Sequence, residues 1–431
     1  MKIQGTALWV AVAFGCGVDE GGRATGEGDG GLGDSASPDD DSDASEGSGS
    51  ASQASDGQAD GNDGAEDGGD DDVIYDVGDG APVDDCTGTS GTDNDYAYIW
   101  IANSPQGTMS KINTETLVEE ARYYVRPDHN GSPSRTSVGL SGNVAVAARQ
   151  GGISKFYANP DECGAGATSQ GADDIKPFPD PCLAWHTDFP YSSQRGVAWA
   201  PADWDPVSCE YKNEKLWSAG VSNVVEVALL DGETGVVENS VQVPEANGGV
   251  GVYGAAVDSQ GNFWGWVPAG SKLLRVDRQT LTAELWNAPS GGYGITVDHK
   301  DRPWLCAGQA SRFDPATQMF ATVQAGGGIT GCMEDGQGTL WIGTSNGING
   351  IDIDALIQDK HLDVPGFIKG ISIQENTGGQ LYIWGVSQSQ EAYKVDPISN
   401  TYETFTGLNS PYTYSDMTGF ALANVSGDPS G

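Results

Sequence analysis

A stretch that returns about every 40 residues constrains this chain more than any other feature. YGAAVDSQGNFWGWVPAGSKLLRVDRQT begins at Tyr253, YGITVDHKDRPWLCAGQASRFDPAT at Tyr293, and TGCMEDGQGTLWIGTSNGINGIDID at Thr330. A fainter copy, KGISIQENTGGQLYIWGV, begins at Lys369 and is closed by YKVDPISNT from Tyr393. The marker glycines Gly254, Gly294, Gly331 and Gly370 lie 40, 37 and 39 residues apart. Short strands and tight turns at that period predict the blades of a β-propeller.

One copy shows the logic. Residues 255–258 alternate small and apolar side chains, as an inner strand beside a crowded channel requires. The turn at 258–261 uses Asp258 to bond its own backbone and Gly261 to accept positive φ. Residues 263–267, 273–277 and 282–286 follow as the second, third and outer strands. A sandwich of unrelated hairpins would not place Trp264, Trp304 and Trp341 in register. Nor would it repeat the basic residue before an apolar-Asp pair, as at Arg275, Arg312 and Lys394.

The N-terminus reads differently. Residues 1–15 carry Lys2 and an apolar run at 7–14, a short export signal and not a bilayer span. Two processing sites fit: a lipobox-like Gly15-Cys16, with Cys16 lipidated, or an A-x-A site at Ala11-Val12-Ala13. Residues 16–95 are expected to form an acidic, disordered tether, because 17–95 hold 24 Asp plus Glu against one Arg among Gly, Ser and Ala. The formal net charge of −40 makes nucleic acid and anionic membrane surfaces poor partners. A lipid on Cys16 is then the expected membrane link, and the chain is expected in the outer membrane, facing the periplasm or cell surface. The acid run only approximates a calcium loop, and no C-x-x-C pair or His cluster suggests zinc, so no metal or cofactor is expected.

Residues 96–431 form the propeller. The expected class is all-β with seven blades, six being the alternative because blade two carries Ala145 where others have Trp. Blade one enters at its second strand, residues 96–103; residues 418–425, with Gly419 at the marker position, are expected to return as its inner strand. Insertions interrupt blade two at 158–181 and blade three at 202–213. Cys16 aside, six cysteines remain, which suggests disulfides in an exported chain. Register puts Cys306 and Cys332 at the rim where blades are linked, and Cys86, Cys163, Cys182 and Cys209 at the opposite rim. The expected pairs are Cys306–Cys332, then Cys163–Cys182 as the most local choice, leaving Cys86–Cys209.

The motif x-G-x-x-V-D-x-x-G-x-x-W followed by basic-apolar-Asp, as at 253–277, resembles the virginiamycin B lyase-like propellers and wider exported repeat propellers over about residues 96–425. That resemblance implies a lyase using His, Glu and Mg²⁺ on its blades. Here the residues after the repeat Trp are Gly265-Trp266, Leu305-Cys306 and Ile342-Gly343, without carboxylate or His. His129, His186, His299 and His361 do not share a rim, and no G-x-S-x-G elbow occurs. What remains lines the channel mouth. Arg195, Tyr253, Tyr293, Thr330, Lys369 and Thr418 each precede a marker glycine, and Arg135 replaces one. Arg135, Arg195, Tyr253, Tyr293 and Lys369 would together suit a carboxylate, a phosphate or a sugar. The expected role is a monomeric binding or scaffold module at the cell envelope, its partner a small molecule, glycan or protein. The alternative is a lyase- or hydrolase-type enzyme working at the mouth.

Overall fold

The computed structural model describes residues 97–427 apart from 290, 291, 327 and 377. Seven antiparallel sheets follow one another along the chain, six of four strands and one of three, with a two-stranded hairpin inserted in blade three. In blade four, Gly254–Val257, Phe263–Val267, Lys272–Val276 and Ala283–Asn287 pair in that order, within one residue of the strands expected. The innermost strands of blades two to seven are Pro133–Val138, Ser193–Ala200, Gly254–Val257, Gly294–Val297, Cys332–Glu334 and Ile368–Glu375. Neighbours among them lie side by side around a central channel. Inner strands are buried, whereas an outer strand such as Val237–Val243 faces water. The fold is a seven-bladed β-propeller.

The repeated Asp and Trp hold each other. Asp258 accepts the backbone N–H groups of Gln260 and Asn262 and the Trp264 indole N–H at 2.9 Å. Asp298 does the same for Lys300, Arg302 and Trp304, and Asp335 for Gln337, Thr339 and Trp341. Each carboxylate thus closes the turn from inner to second strand and satisfies a buried indole donor that would otherwise carry a desolvation cost. In blade seven Gln374 takes the place of the Asp, its Oε1 accepting from Trp384 at 3.2 Å. In blade two, where Ala145 replaces the Trp, Trp199 of blade three packs in the same buried cluster and donates its indole N–H to Ser137 O.

Blade one corrects the sequence expectation. Its sheet has three strands, Tyr98–Asn103, Thr108–Asn113 and Glu119–Tyr124, and residues 418–425 do not form a fourth. Phe420–Ser426 is instead an α-helix. Ala421, Leu422 and Ala423 favour helix, and Leu422 and Val425, three residues apart, are both buried on one face. Gly419 turns the chain into it at φ +90°, and Asp416 Oδ1 accepts the Thr418 and Gly419 N–H groups. The ring closes one step earlier. Tyr412 donates its N–H to Ala102 O at 3.1 Å, and Trp100 donates to Met417 O at 2.9 Å. Between those bonds the tail takes five residue steps against two on the strand, so it bulges into the channel.

Two marker glycines exist for that tail. A Cβ on Gly331 would stand 2.8 Å from Tyr414 Cβ, and one on Gly370 would stand 2.6 Å from Thr413 O. Neither has positive φ; close approach alone demands glycine. Below the mouth a cavity of about 30 Å³ remains, walled by residues such as Val197, Val257 and Val297 and closed by Asp416 and Leu422. That is room for ~two waters. At the far rim Asn424 donates to Glu334 at 2.8 Å, so the tail runs the length of the channel.

The bridges join Cys163 to Cys182 in the blade-two insertion and Cys306 to Cys332 between blades five and six, with Cα atoms 4.3 Å and 6.2 Å apart. Cys209 is disulfide-bonded as well, and Cys86 lies outside the described residues. So do Cys16, the expected export signal at 1–15 and the acidic segment up to residue 95.

Candidate functional site

The start of every inner strand faces the mouth, so the residue before each marker glycine is delivered there by the blade repeat. Tyr253, Tyr293 and Lys369 arrive this way, with Arg195 from blade three and Arg135 from blade two. The tail adds Tyr412 and Tyr414, and the turn after the second strand of blade two adds Arg149. These eight side chains form one cluster. Tyr253 and Tyr293 both bond Tyr412 through their hydroxyls, the former at 2.8 Å. Tyr414 lies with its ring centroid 4.4 Å from that of Tyr293 and 5.8 Å from that of Tyr253.

Cations are threaded between the rings. Lys369 Nζ sits 3.7 Å from the Tyr293 centroid and donates to Ile329 O at 2.7 Å. The Arg135 guanidinium stacks on Tyr414 and reaches Tyr253 O at 2.7 Å. Arg195 lies 5.0 Å from the Tyr253 centroid, and Arg149 5.0 Å from the Tyr412 centroid. Cation–π contact of this kind offsets part of the cost of desolvating each charge. None of these four cations makes a salt bridge among the described residues. Arg135 Nε, Arg195 Nη1 and Tyr414 Oη are buried with no hydrogen-bond partner.

Burial sets the protonation. It lowers Arg135 to about 9, against the raising effect of the nearby tyrosines. Burial, then the Arg135 charge, brings Lys369 down to about 8. Burial and the hydroxyls of Tyr253 and Tyr412 push Tyr293 well above the ordinary tyrosine range. Burial would raise Tyr412 too, but the Tyr253 and Tyr293 hydrogen bonds and the charges of Arg135 and Arg195 hold it below its usual value. Tyr412 thus sits at the centre of the phenol group, sharing one hydrogen bond with Tyr253 and one with Tyr293.

The expected mouth residues thus come together, in two tiers. Arg135, Tyr293 and Lys369 are buried and support the cluster from beneath; Tyr253 and Arg195 are half-exposed. Thr330 is buried and donates to Gly343 O. Thr418 stands away from the mouth, bonded to Ser372 in the channel wall. Tyr412, Tyr414 and Arg149 escaped the sequence reading. The first two lie outside any repeat, in a stretch, SPYTYSD, whose only signal is two aromatics beside a proline.

Other constellations carry no chemistry. Ser154, His186 and Asp188 line up at 2.8 and 3.1 Å, but Ser154 is fully buried and its hydroxyl donates to Val125 O. A nucleophile so placed reaches no substrate. His299 bonds the buried Glu334 on the far rim, His129 stacks on Tyr124, and His361 bonds Asn349 in blade six. Among the described residues no three His, Cys, Asp or Glu side chains converge as a metal would require. The described residues do not fit the Mg²⁺ that the lyase resemblance implies.

Residues 324–346, from the end of blade five to the turn after the second strand of blade six, match the family described as two component regulator propeller. Solved structures similar to the chain include a catalytically inactive virginiamycin B lyase from Staphylococcus aureus with quinupristin, at 13% identity and TM-score 0.47, over 64% of this chain and 84% of that one. A streptogramin B lyase structure matches at 14% and 0.46, over 66% and 87%. The RRP9 WD40 repeats match at 10% and 0.50, over 68% and 84%. The last likeness is one of fold. No curated protein matches the sequence.

Proposed function

We propose that this chain is an exported binding module, anchored through Cys16 and carried on an acidic tether, that engages its partner through the mouth face of the propeller. The observation that carries the reading is the mouth cluster itself. Four cations gather there without a carboxylate partner among the described residues, in a chain of net charge −40, above a channel filled by its own tail. A plugged channel supports surface binding over chemistry in a deep pocket. The bridges Cys163–Cys182 and Cys306–Cys332 suit an oxidising compartment. Among the described residues no helix is long and apolar enough to cross a membrane, and a lipid on Cys16 would supply attachment.

A thermal-shift screen of the purified protein against glycans, peptides and organic acids tests the binding role, because a specific ligand raises apparent stability by mass action. A hit abolished by Tyr253→Ala supports it; a hit indifferent to every mouth substitution refutes it. Cell fractionation of Cys16→Ser tests the anchor: unchanged membrane partition favours cleavage after Ala13. An enzymatic reading has one observation in its favour, the Tyr412 phenol held below its usual pKa among cations, which could give a proton to a bound substrate. Loss of turnover in Tyr412→Phe with ligand affinity intact would select it.

A further inference from the structure

We propose that Arg149, Arg195 and Tyr412 form a seat for one small oxyanion, a carboxylate or a phosphate- or sulfate-type group, and that the bound anion ties blades two and three to the C-terminal tail. The inference rests on the mouth-binding reading and names the chemistry it would use.

Three observations carry it. First, the two guanidiniums flank the same pair of bonded phenols, Arg149 against Tyr412 and Arg195 against Tyr253, whose hydroxyls are 2.8 Å apart. Both side chains are half-exposed, unlike Arg135 and Lys369 beneath them. Second, the protein does not satisfy Arg195. Its Nε reaches Ser193 Oγ at 3.3 Å, its Nη1 is buried without a partner, and the Arg149 charge is near enough to disfavour its own. Arg149 gives its Nε and one Nη2 hydrogen to Ser132 and has no acid partner among the described residues. Beneath them Arg135 is 1% exposed and its Nε is likewise unpartnered. Two like charges held close in a site without a counter-ion are a standing demand for an anion, and forked guanidiniums suit an oxyanion in particular. Third, the hydroxyls of Tyr253, Tyr293 and Tyr412 carry three protons and share two hydrogen bonds, which leaves one O–H for a further acceptor.

The seat is shared between distant parts of the chain. Arg149 and Arg195 belong to blades two and three, whereas Tyr412 arrives on the tail whose bonds to Ala102 and Trp100 close blade one. An anion touching all three stabilises the docked tail by mass action, increasingly as its concentration exceeds Kd.

The test titrates the full mature chain with inorganic phosphate, sulfate and acetate at constant ionic strength, by calorimetry. Saturable binding of any one of these supports the proposal, and which one binds separates tetrahedral from planar groups. Arg149→Met and Arg195→Met should each weaken it by about ten-fold or more, and Tyr412→Phe by roughly three-fold or more. Arg275→Met, a cation already paired with Asp277 and Glu284, should leave it unchanged. The same anion should slow chymotryptic release of the tail in wild type and not in Arg195→Met, a readout that survives any mild loss of stability. A weak response common to all variants means an adventitious ion only and overturns the proposal, as does no binding at all. Should no oxyanion bind while a screening hit still depends on Tyr253, the seat is wrong and the mouth-binding reading stands.

Discussion

Asp298→Asn replaces one carboxylate oxygen by NH₂ with almost no change of volume, which makes it a sharp test of the Asp–Trp lock. Asp298 is fully buried. One carboxylate oxygen accepts the Lys300 and Arg302 N–H groups at 3.0 Å; the other accepts Arg302 Nε at 2.8 Å and Trp304 Nε1 at 2.9 Å. An asparagine has one acceptor oxygen, so whichever way it turns, its NH₂ meets two donors. Arg302 retains Asp354, but the Trp304 indole is fully buried and has no other acceptor. A buried donor left unmade costs about 1–3 kcal/mol, more for a charged one, so the substitution should cost roughly 3 kcal/mol. For a domain of this size that is about 4 °C in Tm. The same substitution at Asp314, whose carboxylate holds the Ala316 and Thr317 N–H groups in an exposed turn, should produce no resolvable change, since water or an Asn replaces it. Thermal and urea unfolding of both variants decides the matter. Equal shifts for Asp298→Asn and Asp314→Asn would refute the claim that the repeat Asp is there for its buried indole.

Removing the blade-linking bridge by replacing both Cys306 and Cys332 with Ala frees a 26-residue separation and should cost about 3.5 kcal/mol in urea unfolding; no loss would mean the ring alone restrains that seam. Met417 is fully buried at the closure, so Met417→Ala should cost about 2–5 kcal/mol, and a loss below about 1 kcal/mol would show that the tail does not close the ring. Asp416 supplies a pH test. Burial holds its carboxyl up to about 6, so the charged form is the disfavoured one in the fold. The stability it contributes is present below the ordinary carboxylate range and is lost as pH rises through about 6. Asp416→Asn should therefore gain on wild type in Tm between pH 4 and 7, and a difference flat across that range would contradict the assignment.

The sequence by itself determined the blades, because their information is local. Asp258, Asp298 and Asp335 close turns and hold an indole six residues on, so motif and bond pattern coincide within a few residues. The register of Cys306 and Cys332 followed from the same period, and their bridge lies where neighbouring inner strands run side by side. Delivery of Arg195, Tyr253, Tyr293 and Lys369 to one mouth was legible for that reason too. Only the tertiary structure decided what the tail does. The Gly419 signal that reads as an inner strand introduces a helix, because Leu422 and Val425 find a buried face one turn apart rather than alternate residues facing a channel. No local rule places Tyr412 and Tyr414 over Arg135, or explains why Gly331 and Gly370 must lack a Cβ, since their constraint is a segment 43 or more residues away passing within 3 Å. Ring closure brings residues 412–424 against blades far apart in the sequence. What a repeat cannot encode is the path of a segment that lies outside it.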